Sequence, residues 1–174
     1  MTEQLPYSVI RRYPGFELRQ YPAHLRAEVD VRALQRDAGN IGFNPLVRYI
    51  SGNNRERQSI AMTAPVLQTS VDASAETHRI AFVLPADLDP QNTPDPSDAN
   101  VSVRSYPACQ MAAISFRGGW NPNVFVQRGE ELMGYLREEG LEPVGPLSFA
   151  RFDPPWKPGL LRHNEVLVQV KGEQ

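Results

Sequence analysis

Few residues in this chain of 174 residues have side chains suited to catalysis or metal binding. Its three histidines, His24, His78 and His163, do not have the spacing of a metal-binding pair. Because Cys109 is the single cysteine, an internal disulfide and a cysteine-based zinc site are both excluded. The sequence has no Gly-X-Ser-X-Gly motif and no phosphate-binding glycine loop. These patterns favour a binding protein over an enzyme.

Three carboxylates remain as candidates for chemistry: Glu17, Asp153 and Glu165. Paired carboxylates in a groove can act as general acid and general base. The simpler interpretation is that each forms a salt bridge on or beside a strand. We therefore expect no catalytic activity, with a groove hydrolase kept as an alternative.

Hydrophobic alternation predicts the strands that position these residues. In the first half we predict strands at Val9–Tyr13, Glu17–Val31, Gln58–Ser70 and Arg79–Leu84, with a bend at Tyr21-Pro22. In the second half we predict them at Val101–Tyr106, Gln110–Phe116, Leu147–Phe152 and Glu165–Val170. Polar turns separate the predicted strands in both halves.

Two helices are predicted from helical spacing and terminal signals. The apolar residues of the first follow i, i+3, i+4, i+7 spacing: Phe43, Leu46, Val47 and Ile50. Asn44 is its predicted N-cap, Pro45 its first position and Gly52 its end. The second helix is predicted from about residue 123 to 139, before Gly140.

The chain also resembles itself. Leu18–Ala23 resembles Val103–Ala108, 85 residues later, and Tyr49-Ile50 matches Tyr135-Leu136. We predict a duplicated strand–helix–strand–strand unit, with repeats at about 7–85 and 101–170, in one domain spanning 1–174. The fold class is α+β: a distorted antiparallel β-barrel with two flanking helices.

Charge and hydropathy exclude some classes of partner. The net charge of -2 argues against nucleic-acid binding, which favours a strongly basic domain. The longest apolar stretch, around Met111–Phe116, is far shorter than the roughly 20 residues of a membrane span. The N-terminus lacks the pattern of a secretory signal. We expect a soluble, cytoplasmic protein, and no heptad or other association signal indicates an oligomer.

Several segments together carry a family resemblance. They are Phe16–Tyr21, Tyr49–Asn54, Ile60–Val66, Ala150–Trp156 and Arg162–Val166. In this order and spacing they resemble the SOUL/heme-binding protein family, over about residues 7 to 170. The resemblance implies a distorted β-barrel with two helices, built from a duplicated unit. It also implies non-covalent binding of heme or another tetrapyrrole beside the first helix.

A bound porphyrin needs an apolar wall, one or two cations for its propionates and, optionally, an iron ligand. The first helix offers Leu46, Val47 and Ile50 as the wall. The resemblance implies that Arg48 and Arg162 occupy the family's basic, propionate-contacting positions.

The iron ligand is the weakest part of this resemblance. The family's histidine position is Gln20 here, and glutamine is a poor ligand for iron. His24, four residues further on, is a weak substitute. We therefore expect heme to be held mainly by apolar contact, with the metal ligand left open.

Two alternatives come from the resemblance of this fold to gyrase-inhibitor-like effector domains. One is a generalist binder of apolar ligands in a groove. The other is the groove hydrolase, in which Glu17, Asp153 and Glu165 would act as paired carboxylates.

Overall fold

The computed structural model describes residues 2–172. In chain order the elements are β1 (Glu3–Gln4), β2 (Ser8–Tyr13), β3 (Phe16–Tyr21), β4 (His24–Arg32), α1 (Gln35–Ile50), β5 (Thr63–Ala64), β6 (Val66–Ser70), β7 (Thr77–Val83), β8 (Ser102–Tyr106), β9 (Cys109–Arg117), α2 (Pro122–Glu139), β10 (Ser148–Arg151), a 3-10 helix (Gly159–Leu161) and β11 (His163–Val170). The predicted α+β class, with antiparallel strands and two helices, is confirmed.

The chain forms two compact units that interleave along the sequence. The first contains the described residues up to Leu5 together with Ala23–Pro107. The second contains Pro6–Pro22 and the described residues from Ala108 onward. Strands β2 and β3 therefore belong to the second unit although they precede most of the first. The repeats at about 7–85 and 101–170 stay a prediction from sequence.

In the first unit, antiparallel strands follow the order β6-β7-β4-β8, and α1 packs over β4 and β7. Alternate residues of β4, such as Ala27 and Val29, are buried in the core beneath α1. Ile80 and Phe82 of β7 join them. Strands β1 and β5 form a short parallel pair.

In the second unit, antiparallel strands follow the order β2-β3-β9-β11-β10, and α2 packs over β9 and β11. Leu18, Ile114 and Val166 supply the strand side of its core, while Phe125 and Leu136 supply the helix side. All are almost completely buried.

The predicted start of the first helix is wrong. Helix α1 begins at Gln35, so Asn44 is not its N-cap and Pro45 lies inside it. The sequence before Asn44 does not read as a helix because it contains Gly39 and Gly42, and glycine is a poor helix former. Here both glycines are buried against the rest of the unit. A Cβ on Gly42 would lie 2.6 Å from Cγ1 of Ile80, so glycine permits the close approach of helix and sheet.

The second helix follows its terminal signals closely. The Asn121 side chain accepts a hydrogen bond from the backbone N–H of Asn123 at 3.0 Å, and Pro122 takes the first position. Gly140 ends the helix in the left-handed conformation, with φ 69°. Start and end are each within one residue of the predicted positions.

The predicted strand Gln58–Ser70 is too long, because strand pairing begins at Thr63. Asn54 holds the preceding segment in a turn instead. Its amide donates to the carbonyls of Tyr49 and Gln58, and its oxygen accepts from the Gln58 backbone N–H. This local bonding satisfies the backbone without a sheet.

The polar stretch around His78 predicts a solvent-facing loop residue, and this prediction is wrong. It lies in β7 and is 3% exposed. Its polar sequence neighbours concealed an alternation that places it on the same side of the strand as Ile80 and Phe82.

Candidate functional site

Helix α1 presents one face to the first unit's core. Leu46 is fully buried and Ile50 is 7% exposed, so both residues predicted to contact a ligand pack against the unit's own core. These two side chains therefore hold α1 against the core and do not face outward. The predicted wall therefore depends on their more exposed neighbours.

One flank of α1 is apolar and accessible. Phe43 is 39% exposed, and its ring packs edge-on against Phe82 at a centroid separation of 5.4 Å. Val47 is half-buried against the core. Residues 43 and 47 are four apart and so share one side of the helix. We call the pair the α1 flank.

Arg48 adjoins this flank in the last turn of α1. It is about 100° around the helix from Val47 and is exposed. Among the described residues, none forms a hydrogen bond or ion pair with its guanidinium. A cation here also interacts favourably with the negative end of the helix dipole. The accessible α1 flank and an exposed cation are thus neighbours on the helix.

His24 begins β4 and is already engaged. Arg26 Nε donates to His24 Nε2 over 2.9 Å. The imidazole stacks on Tyr106 at a centroid separation of 5.7 Å, and the Arg26 guanidinium lies 4.0 Å over the same ring. Iron ligation through Nε2 would have to replace the bond from Arg26.

Arg162, the second predicted cation, lies in the second unit just before β11. Its Nε donates to the Lys157 carbonyl at 2.8 Å, and its Nη2 donates to the Pro155 carbonyl. These bonds fix the loop between β10 and β11. The remaining guanidinium N–H groups are the ones that an anion would use.

A buried ion pair occupies the second unit. Arg19 Nη1 and Nη2 donate to the two carboxylate oxygens of Glu165, each over 2.8 Å, and both residues are 2% exposed. A bidentate pair of this kind is among the stronger charge-assisted contacts in proteins. Sequence reasoning did not find Arg19, because its partner lies 146 residues away.

Further groups surround the Glu165 carboxylate. Ser115 Oγ donates to it over 2.8 Å, and His163 Nε2 lies 3.2 Å away. Burial alone would raise the pKa of Glu165, but the hydrogen bonds from Arg19 and His163 and the Arg19 charge lower that pKa to about 2. Glu165 is therefore ionised at neutral pH and is unsuited to act as a general acid.

The other two candidate carboxylates are also paired. Glu17 accepts a hydrogen bond from Arg19 Nε at 2.9 Å. Asp153 accepts one from Lys157 Nζ at 2.8 Å and another from the His163 backbone N–H at 2.6 Å. Each carboxylate faces a cation and not a second carboxylate, so this geometry does not favour a shared-proton pair.

Within residues 2–172, no group of three or more histidine, cysteine, aspartate and glutamate side chains is arranged to hold a metal ion. No helix in the described part of the chain has the length and apolar character required to cross a membrane.

Comparison with solved structures defines the fold class first. The chain is similar to the EcmrR C-terminal domain, with a TM-score of 0.72 and 12% identity over 96% of this chain and 99% of that one. It is also similar to a hydrolase from Listeria innocua, with a TM-score of 0.60 and 10% identity over 93% of this chain and 94% of that one. At such identities the likeness shows a shared fold alone.

Sequence comparison then identifies the family. The model of the SOUL heme-binding protein family matches residues 2–169, so the chain belongs to that family. Mouse heme-binding protein 2 is 29% identical over 167 residues, covering 92% of this chain and 80% of the relative. Xenopus tropicalis heme-binding protein 1 is 24% identical over 157 residues, covering 87% and 82%. The resemblance noted from the sequence is confirmed.

Proposed function

We propose that this protein binds heme or a related tetrapyrrole non-covalently on the outer surface of α1, as a small cytoplasmic carrier or buffer. One observation carries the proposal: in a SOUL-family chain, the accessible α1 flank adjoins Arg48, a guanidinium without a partner among the described residues. An apolar disc with carboxylates at one edge needs this pairing of surfaces.

Each part of the α1 surface has a distinct role in this proposal. Phe43 and Val47 contact the porphyrin face, while Leu46 and Ile50 hold the helix on its sheet. Arg48 donates to a propionate. Arg162 stays a predicted second propionate contact.

We also propose that the iron needs no histidine ligand. Gln20, at the family's histidine position, uses its amide nitrogen to donate to the Cys109 and Tyr21 carbonyls, each over 3.2 Å. His24 accepts its bond from Arg26. Binding then rests on apolar contact and on the propionate cation, not on a metal–nitrogen bond.

Titration of the purified protein with hemin tests the proposal, with the Soret band as the readout. We expect a saturable shift at a single equivalent. Metal-free protoporphyrin should bind with an affinity close to that of hemin, because the iron contributes no bond. Absence of a saturable Soret shift would refute tetrapyrrole binding.

Competition separates this function from that of a generalist apolar binder. Non-porphyrin amphiphiles of similar size lack two carboxylates at one edge, so we expect them to displace hemin poorly. Equal or better displacement by such amphiphiles would favour the generalist alternative.

A further inference from the structure

The loop between β10 and β11, residues 152–162, exposes large apolar side chains. Trp156 is 84% exposed, Leu160 is 86% exposed and Leu161 is 54% exposed. A single exposed leucine on a protein surface needs no explanation. Three such side chains within six residues form a patch of the kind that marks an interaction surface.

The loop is braced, so it presents these side chains in a fixed arrangement. Arg117 Nη1 donates to the Leu161 carbonyl at 2.9 Å, and the Gly118 backbone N–H donates to the Arg162 carbonyl at 3.1 Å. Arg162 itself donates to two carbonyls of the loop. Three prolines stiffen it further. Because the loop is already ordered, binding loses little conformational entropy.

Positive charge accompanies the apolar patch. Lys157 lies between the exposed tryptophan and leucines in sequence, and Arg117 and Arg162 are bonded to the loop backbone. Asp153 is the acidic residue of the loop, and it is paired with Lys157. The loop is therefore locally positive in a chain whose net charge is -2.

We propose that this loop docks the protein onto an anionic lipid bilayer. Tryptophan and leucine insert at the boundary between headgroups and acyl chains, while lysine and arginine contact lipid phosphates and carboxylates. An aromatic side chain buries roughly 150–250 Å². Three side chains fall short of the roughly 800 Å² per partner of a stable protein interface, so a membrane suits the patch better than a protein does.

Sedimentation with lipid vesicles, without hemin, tests this proposal. The full chain should bind vesicles of mixed phosphatidylcholine and phosphatidylserine, and bind pure phosphatidylcholine much more weakly. Added salt should weaken the binding, since part of the attraction is electrostatic. The double substitution Trp156→Ser/Leu160→Ser should lower vesicle affinity at least about tenfold.

Leu34→Ser is the matched control, because Leu34 is 62% exposed and lies in the first unit. It should bind vesicles like wild type. Circular dichroism should show the same fold for all variants, since the replaced side chains are exposed. The double variant should also bind hemin like wild type, so failure of either proposal leaves the other testable.

Three results would overturn membrane docking. The first is no binding of wild type to the phosphatidylserine vesicles, and the second is unchanged binding of the double variant. The third is a wild-type dimer in solution that the double variant loses, which would assign the patch to a second copy of the chain.

Discussion

Arg48 is the single side chain on which the proposed ligand site depends most. A charge-assisted hydrogen bond at a partly buried edge contributes roughly 1.5–3 kcal/mol. Arg48→Ala should therefore weaken hemin binding by about 10- to 150-fold. Thermal stability should change little, because the side chain is exposed. Soret titrations and thermal melts of the variant measure both effects.

Arg137→Ala is the control for that prediction. Arg137 is exposed in the last turn of α2, as Arg48 is in the last turn of α1. Removing it takes away the same charge and the same interaction with a helix end. Equal loss of hemin affinity in the two variants would mean that general electrostatic attraction is responsible and that Arg48 has no special role.

His24 gives a spectroscopic prediction. His24→Ala should leave the Soret position of the hemin complex unchanged, because the imidazole is committed to Arg26 and Tyr106. Electronic spectra of the wild-type and variant complexes compare the iron environments directly. Loss of the shifted Soret band in His24→Ala, with Arg48→Ala behaving like wild type, would place the porphyrin at His24 instead.

Glu165 makes stability depend on pH at the acid end. Its pKa is lowered from 4.5 to about 2 in the folded protein. As the pH falls, Glu165 is therefore protonated in the unfolded chain before it is protonated in the folded protein. The stabilisation from Glu165 is complete above pH 4.5 and is lost as the pH falls toward 2. Chemical denaturation at a series of pH values should show this loss for wild type and a smaller one for Glu165→Gln.

The same variant should be strongly destabilised at neutral pH, by about 3–5 kcal/mol, because the buried Arg19 guanidinium loses its bidentate carboxylate and keeps only the partly exposed Glu17 as a counter-ion. Glu76→Gln serves as the comparison. Glu76 pairs with Arg32 on the surface, where both side chains are more than half exposed. Its loss should change the free energy of unfolding by less than about 1 kcal/mol. Similar losses from the two variants would contradict this account of the buried pair.

At the scale of elements, two glycines in helices should respond oppositely to alanine. Gly42→Ala in α1 places a Cβ 2.6 Å from Cγ1 and 2.8 Å from Cβ of Ile80. Neither atom is at a flexible end, so we expect a destabilisation of about 1–3 kcal/mol. In α2, a Cβ on Gly134 would meet its nearest neighbour, Arg137, at 3.9 Å. Gly134→Ala should stabilise by about 0.5–1 kcal/mol. Urea denaturation of both variants would show whether the signs differ.

The elements also show what local sequence can and cannot predict. Helix α2 was predicted closely because Asn121, Pro122 and Gly140 act on the backbone immediately beside them. The start of α1 was missed because Gly42 serves a contact with Ile80, a residue of another element. Fold class follows from patterns repeated over many residues, so a few wrong boundaries did not affect it.

In the candidate site, too, local sequence predicted some features and could not predict those that depend on distant residues. The accessibility of Arg48 was predictable from its place in the helical pattern next to Val47. The burial of Leu46 and Ile50 was only partly so, since the same spacing fits a ligand wall and a core face. The Arg19–Glu165 pair was beyond local reasoning, because an arginine on a strand is buried only if a distant carboxylate meets it.

At the scale of the whole molecule, the duplication stays a prediction from the sequence, and it pairs residues of one unit with residues of the other. Arg19 and Arg104 align in the predicted repeat, and each contacts a buried glutamate of its own unit. Arg19 binds Glu165, and Arg104 Nε lies 3.3 Å from Glu28.

The repeat also predicts how many ligands bind. When Tyr49-Ile50 is aligned with Tyr135-Leu136, Arg48 corresponds to Gly134. Helix α2 thus lacks the cation at the equivalent position. We expect one tetrapyrrole per chain, measured as the break point of a stoichiometric titration. Binding of two tetrapyrroles per chain with similar affinity would show that Arg48 does not determine which helix binds the ligand.

The division of strands between the units determines the order in which the units can fold during synthesis. A ribosome releases β2 and β3 early, yet their unit lacks β9, α2, β10 and β11 until the second half of the chain has emerged. The first unit has all of its strands once Pro107 has been made. A nascent chain of that length therefore carries one complete unit and a hairpin, β2–β3, whose inner edge still waits for β9. Such an unpaired edge invites pairing with other chains, so slow translation just beyond Pro107 would favour aggregation more than slow translation elsewhere.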